Sequence, residues 1–268
     1  MELVTLIGIV LGIGALLGAM TLYGIPFSVL VNEPAILLIL LGTIAAVMNA
    51  FPLDDVKKVL RLFGVVFRSK KGVDKFRTIE LFTEYAQIVR KDGILAVGKK
   101  LDEIENQFVK MGMKLLVSGV KSSEIHTVLK NDIAAMEKRH ERFARIFSRA
   151  GVYATSLGLL GAALGFMAAA ASMGDEERFA YSIAGAFIAI MYGIFIGYVI
   201  LQPLSTKLMR KSDEELLHNE IVVAGVLALA NGDPPYLVQH KLLSYLSQRE
   251  KEKFAGTVTE HEQNHEQE

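Results

Sequence analysis

The sequence predicts an all-α integral membrane protein with four transmembrane helices and a helical cytoplasmic domain inserted between the second and the third. Three observations carry that prediction. Four stretches, Leu3–Tyr23, Pro34–Phe51, Gly151–Met173 and Phe179–Leu204, are apolar and contain no Asp, Glu, Lys, Arg or His. About 20 such residues, rising about 1.5 Å each, span the hydrocarbon core of a bilayer. Composition agrees: 51% hydrophobic residues and a mean hydropathy of +0.35 are high for a soluble chain, while 22% charged residues are too many for a wholly embedded one. The charges are also segregated, with 21 of the 29 Lys and Arg between Asp54 and Arg149 and seven more from Lys207 onward.

The first stretch follows Met1-Glu2, which lacks the positive n-region of a secretory signal, and it is long enough to span the membrane; it reads as a retained helix. Its "GIGALLG" (Gly12 to Gly18) has the look of a nucleotide loop, but no strand precedes it, so close helix packing is the better reading. The loops Gly24–Glu33 and Gly174–Arg178 hold a single Arg between them. The bias of positive charge toward the cytoplasm therefore puts these loops outside, and both termini and the large middle segment on the cytoplasmic side.

After the second stretch, Asp54–Phe67 places Val56, Val59, Leu60, Phe63 and Phe67 near one face and Lys57, Lys58 and Arg61 away from it, as an amphipathic helix does. Thr78–Ala96 and Asn131–Ala150 carry apolar residues at helical spacing without proline. The tail "GTVTEHEQNHEQE" has no apolar face and is expected to be disordered. The expected division is 1–51 for the first two membrane helices, 52–149 for the cytoplasmic domain, 150–204 for the last two membrane helices, and 205–268 for C-terminal helices and the tail.

Catalytic and metal chemistry find little support. The chain has no Cys, which removes disulfides and thiolate chemistry. His126, His140, His218 and His240 lack metal-ligand spacing, and His261 and His265 sit in the polar tail. No Ser-His-Asp or paired-carboxylate arrangement stands out, so an enzyme is not expected, and neither is a cofactor or a nucleic-acid partner.

The third stretch is the most informative. It combines small-xxx-small pairs, Gly158 with Ala162 and Gly161 with Gly165, with the hydroxyls of Thr155 and Ser156. Small residues let another helix approach closely. The hydroxyls either line a hydrated path or bond their own helix backbone. Ion pathways commonly use intramembrane charged groups, and these spans have no Asp, Glu, Lys, Arg or His, so the segment reads as a wall whose charged component belongs to a partner helix.

"YATSLGLLGAALG" followed by "AGAFIAIMYGIFIGYVILQPLSTKL" resembles the paired third and fourth membrane helices of the flagellar stator family MotA, within the MotA/TolQ/ExbB superfamily. "NEPAILLILLGTIAAVMNAFPLDDVKKV", "VRKDGILAV" and "IVVAGVLALANGDPPYLVQHKLLSYL" extend the resemblance from the first helix to about Leu246. The resemblance implies a homopentamer around a dimer of MotB-like subunits, whose membrane Asp carries the ion. It also implies a ring that turns with ion flux and pushes on the switch-complex protein of the flagellar rotor. Thr155, Ser156, Gly158, Ala162, Ala189, Ile190 and Tyr192 would then face the partner and the ion path, Pro203 would be a hinge, and Arg90 and Glu137 would contact the rotor.

The chain departs from the family pattern at several places. Ala154-Thr155-Ser156 stands where the family usually has Ala-Pro-Thr, Ile190 where a threonine is frequent, and Gly98 where an acidic residue is expected, with Asp102 or Glu103 as substitutes. Sodium-type relatives carry threonine at Ala162 and near Ala189 and Ile190, so the missing oxygen ligands favour protons as the coupling ion. Sodium and a divalent cation stay open as alternatives, as do a TolQ/ExbB-like motor for another envelope process and a membrane scaffold with altered coupling.

Overall fold

The computed structural model describes residues 2–58 and 74–255, and every regular element in them is helical. Helix α1 (Glu2–Leu22) and α2 (Glu33–Ala50) are joined through a 3₁₀ turn, Phe27–Leu30. Asn32 caps α2 by accepting the Ala35 amide at 3.0 Å, and Pro34 lies in the first turn, where a missing N–H leaves no bond unmade. Helix α3 (Lys75–Asp92) begins at Asp74, whose carboxylate accepts from the amides of Phe76 and Arg77. It ends at Gly93, which has φ +82°, a conformation that glycine adopts without a side-chain clash. That glycine divides the helix expected over Thr78–Ala96 into α3 and a short α4 (Ile94–Gly98).

A 3₁₀ turn (Leu101–Glu103) and α5 (Gln107–Val117) lead to α6 (Ser122–Ala171), an unbroken helix of 50 residues. The helix expected over Asn131–Ala150 and the third apolar stretch are thus one element. At about 1.5 Å per residue α6 is about 75 Å long, well beyond a hydrocarbon core of about 30 Å, so only its apolar part can be embedded. Helix α7 (Glu176–Ile194) is capped by Asp175, which accepts the Arg178 amide at 3.1 Å. It passes into a π-helical stretch, Phe195–Leu201, then α8 (Gln202–Ala230) and α9 (Pro235–Leu243), and residues 248–255 form a last helical segment.

Among the described residues, three helices are long and apolar enough to cross a membrane: Phe27–Ala50, α6, and the run Glu176–Ala230. Helix α1 contributes a shorter apolar stretch, Ile7–Leu22.

The chain divides into two units. The first comprises Met1–Lys70 with Arg139–Lys211. Its interior includes Val47, Ile146, Phe147, Ala150 and Leu204, while Val10, Leu11, Leu37, Leu159 and Met167 are exposed, the inside-out balance of a surface solvated by lipid. Residues 53–58 are helical, and the buried Asp55 meets Arg142 at 3.4 Å. The rest of the amphipathic helix expected over Asp54–Phe67 lies outside the described residues, as does the tail from Gly256.

The second unit comprises Lys71–Lys138 with Ser212–Glu268. It has the core of a soluble helical domain, in which Phe82, Met113, Leu129, Ile221 and Leu229 are essentially inaccessible. Gly225 lets the Phe82 ring lie against α8, since a Cβ there would be 2.6 Å from the ring. Lys130 pairs with both Glu220 oxygens at 2.6 Å. Lys75 meets Glu250 at 3.2 Å, and Ser247 holds the same carboxylate through its hydroxyl and amide, lowering its pKa to about 2.

His218 is buried in this core, its Nε2 3.0 Å from Thr78 Oγ1 and its Nδ1 3.3 Å from Asn219 Oδ1. The Thr78 hydroxyl also lies 3.0 Å from the Asp74 carbonyl, so with the ring neutral and its proton on Nδ1, which donates to Asn219, the one Thr78 proton is shared between Nε2 and that carbonyl. Burial pushes its pKa below the ordinary value, outweighing the opposing effects of Asn219 and Glu215, and Lys75 pushes in the same direction as burial.

Candidate functional site

Helices α6 and α7 meet along a seam of small residues. A Cβ added at Gly158 would lie 2.7 Å from the Ala189 carbonyl oxygen and 2.8 Å from Gly193 Cα. One at Gly193 would lie 2.8 Å from the Ala154 carbonyl, and one at Gly165 would lie 2.8 Å from Ala186 Cβ. A methyl group at any of these positions would require the backbones to separate. Backbone contact of this kind supplies dispersion attraction where lipid tails remove most of the hydrophobic drive for association. Ala154, Ala162, Ala186 and Ala189 are buried in the same seam.

The residues expected to face a partner fall into two sets. Gly158, Ala162 and Ala189 lie within the α6–α7 contact, with Ile190 half-buried on α7. Ser156 is exposed and donates to the Val152 carbonyl at 3.0 Å, the backbone bond that an intrahelical hydroxyl makes. Thr155 does something further. Its hydroxyl is 3.1 Å from Gly151 O in its own helix and 3.2 Å from Gly193 O in α7, so one proton is shared between the two helices. Tyr192 turns its hydroxyl to the Leu30 carbonyl and fastens α7 to the 3₁₀ turn.

Below this seam the helix register changes. Pro203, exposed, is the second residue of α8 and follows the π-helical stretch directly. Having no N–H, it cannot serve the carbonyl of Val199 four residues back, and π geometry widens the turn at that point. On either side of the proline, α8 is tied to α6 by polar contacts. Ser205 donates to the Ala144 carbonyl at 2.7 Å, and Gln202 lies 3.4 Å from both the Ser148 hydroxyl and the Ser148 carbonyl. The seam is therefore apolar and close-packed toward the α6–α7 turn and hydrogen-bonded toward α8, with the π stretch between.

Sequence reasoning passed over Gly193, Gly197 and Gln202. The signal was present as "GIFIG" (Gly193 to Gly197), a small-xxx-small pair in the fourth apolar stretch that matches the pairs in the third.

In the second unit, Arg90 is exposed in the last turn of α3, beside Lys91 and three residues before the Gly93 turn. A cation there also complements the carbonyl end of the helix dipole. Glu137 is exposed on α6. Gly98 closes α4 against Val117, and Asp102, in the following turn, meets Lys110 at 3.1 Å. The carboxylate of Asp102 is thus held by a neighbour in this unit, while Glu103 is exposed beside it.

Comparison with known proteins covers nearly the whole chain. The family model "MotA/TolQ/ExbB proton channel family" matches residues 100–221. Motility protein A of Bacillus subtilis is 40% identical over 255 residues, which is 95% of this chain and 94% of that protein. The flagellar MotAB stator complex from Bacillus subtilis contains a chain that superposes with a TM-score of 0.87 at 40% identity, covering 94% of this chain and 99% of that one. The C. jejuni MotAB structure gives a TM-score of 0.85 at 28% identity, covering 92% and 97%.

Proposed function

The chain belongs to the MotA/TolQ/ExbB proton channel family, and we propose from that membership and from the α6–α7 geometry that it is the MotA-type stator subunit of a flagellar motor. It is a channel-forming subunit that works with a MotB-type partner, and it is not an enzyme. The observation that carries the reading is the uncharged seam itself. Between residues 151 and 173 there is no Asp, Glu, Lys, Arg or His, and the small residues hold α6 and α7 together as one wall with Ser156 exposed on it. Such a wall conducts only when another helix supplies the titrating group.

In this reading the chain crosses the cytoplasmic membrane four times, with both termini and the segment from Asp54 to Arg149 inside, as the charge segregation favours. Five copies surround two partner helices, protons are the coupling ion, and Arg90 and Glu137 meet the rotor. Pro203 and the π stretch form the hinge through which a change at the seam reaches α8.

The test is proton flux in vesicles. The chain reconstituted alone should be silent, and the chain with its MotB-type partner should conduct; equal flux in both would overturn the role of the missing carboxylate. Reporter fusions at Glu124 and after Leu246 should both score cytoplasmic, and an outside signal at either would overturn the four-span topology.

A further inference from the structure

Residues 53–58 form a short helical segment directly after α2. Val56 joins the interior built around Val47, Ile146 and Phe147, and the buried Asp55 ties the segment to α6 by meeting Arg142 at 3.4 Å. Cations gather around that bridge. Lys57 and Lys58 are exposed on the segment, Arg139 is exposed one turn before Arg142, and the Arg142 side chain itself remains 56% exposed. Among the described residues no carboxylate pairs with Lys57, Lys58 or Arg139. Glu141 is taken up by Arg145, so these four cations stand against Asp55 and the exposed Asp54.

The surface that leads to them is hydrocarbon. Leu37, Leu41, Ile44 and Met48 are exposed at the three- and four-residue spacing that puts them on one face of α2. Leu53 is exposed in the segment, four residues before Lys57 and so on the same face of it. The exposed surface thus changes from hydrocarbon to ammonium within a segment about 9 Å long. A bilayer makes the same change over a similar distance, since its polar layer is about 5–7 Å deep on each side of a hydrocarbon core of about 30 Å. Cations at that depth meet lipid phosphates, which Arg takes through two parallel N–H donors and Lys as a point charge. Clusters of Lys and Arg immediately beside a membrane helix select anionic lipids for this reason. We infer that Lys57, Lys58, Arg139 and Arg142 bind the headgroup of an anionic phospholipid.

Asp55 is the positioning residue of this site. Its carboxylate holds the Arg142 guanidinium by Nη1 and leaves the rest of the fork open to a phosphate. A bound headgroup links the segment to α6 at the edge of the bilayer, adding a second tie to the one that Asp55 makes. The inference rests on the membrane reading of α2 and not on the stator role.

The experiment uses the full chain with its MotB-type partner. The complex is titrated in neutral detergent with phosphatidylglycerol or with phosphatidylcholine, and bound lipid is counted by native mass spectrometry. Phosphatidylglycerol should bind at least about fivefold more tightly, the share of a single Lys or Arg at a charged lipid surface. Lys58→Gln with Arg139→Gln should bring the ratio close to one. Lys99→Gln with Lys100→Gln, which removes equal charge from exposed positions of the second unit, should leave it unchanged. Equal binding of the two lipids overturns the inference, and so does an equal loss in both double variants, which would assign the preference to net charge. A preference shown by the chain alone and absent from the complex also overturns it, since the partner then covers these cations. Alkaline extraction from vesicles is scored in parallel: an embedded chain that is indifferent to lipid charge refutes the site and leaves the membrane reading standing, whereas an extracted chain overturns both. Should the substitutions at Lys58 and Arg139 prevent assembly, the unsubstituted complex decides. Its preference should fall as KCl is raised from about 0.05 M to about 0.5 M, and a preference indifferent to salt overturns the inference.

Discussion

The Thr155 hydroxyl lies 3.2 Å from the Gly193 carbonyl across the α6–α7 seam, two residues before the π stretch begins. A threonine of the facing helix thus supplies a donor to a carbonyl close to the start of the π stretch. Thr155→Val keeps the shape and removes the donor. The variant should assemble with its partner in normal yield and melt at lower temperature, by about 0.5–1.5 kcal/mol of lost hydrogen bonding. Unchanged melting would mean that the intrahelical bond to Gly151 is the only one that Thr155 makes.

The seam gives a sharper test at Gly158. Alanine there puts a methyl carbon 2.7 Å from a backbone oxygen, and backbone cannot rotate out of the way as a side chain can. Gly158→Ala should destabilise by about 1–3 kcal/mol, the usual scale of overpacking. Gly14→Ala is the control, since nothing lies within 4 Å of its added methyl, and it should be neutral or slightly stabilising. Equal melting temperatures for the two variants would contradict the close approach.

Those two sites show what could be read in advance. Apolar length located the embedded part of α6, and the small-xxx-small spacing of Gly158, Ala162, Gly161 and Gly165 marked a face made for close approach. Spacing defines a face without naming what it meets, so the packing of that face on α7 of the same chain was not legible. Helix ends were similarly uneven. Asp74 and Asn106 are capping residues with a local signature, whereas the junction of Asn131–Ala150 with the third span carries a misleading one: Gly151 stands where a helix stop would, yet it serves close packing on Gly197 and the 50-residue α6 runs through it. Gly93 was readable as a helix stop and was passed over, since apolar periodicity continues through Ile94 and Leu95. Pro203 leaves the carbonyl four residues earlier without its usual donor, which the sequence shows, whereas the π stretch beside it is visible only in the geometry.

Arg90 is solvent-exposed, so reversing its charge should not disturb the core of its unit. Removing it from the last turn of α3 costs about 0.3–1 kcal/mol of dipole stabilisation. Arg90→Glu should therefore leave expression and partner binding intact while abolishing swimming, with Arg90→Lys largely tolerated. Normal motility of the reversed-charge variant would remove Arg90 from the rotor contact.

His218 ties stability to pH through burial. Its folded pKa lies below the ordinary 6.5, so the unfolded chain binds the proton more readily. The neutral ring's contribution is complete above pH 6.5 and is lost as pH falls through that value toward the depressed folded pKa. Unfolding of the complex followed between pH 8 and pH 5 should show falling stability below about pH 6.5. His218→Gln, which keeps a polar side chain in that place, should flatten the slope over this window even if it lowers stability throughout. A slope that is the same in both proteins would assign it to other groups.

Proline at position 155 tests whether the seam is a hinge. The stator family that this chain resembles usually has proline there, yet α6 runs through Thr155 without a break, and its side chain bridges to Gly193. Thr155→Pro removes the amide at 155, frees the Gly151 carbonyl and deletes the bridge together. In an unbroken helix that costs about 3 kcal/mol or more, although neighbouring helices and waters inside a bundle can take up the freed carbonyl. The expected outcome is a lower yield of complex with its partner, with the π stretch and Pro203 left as the place where bending is accommodated. Measuring yield and torque together separates the cases. Full assembly with undiminished torque would show that α6 tolerates a bend at 155. Full assembly with increased torque would show that threonine, by holding Gly193, restrains a motion that torque generation needs.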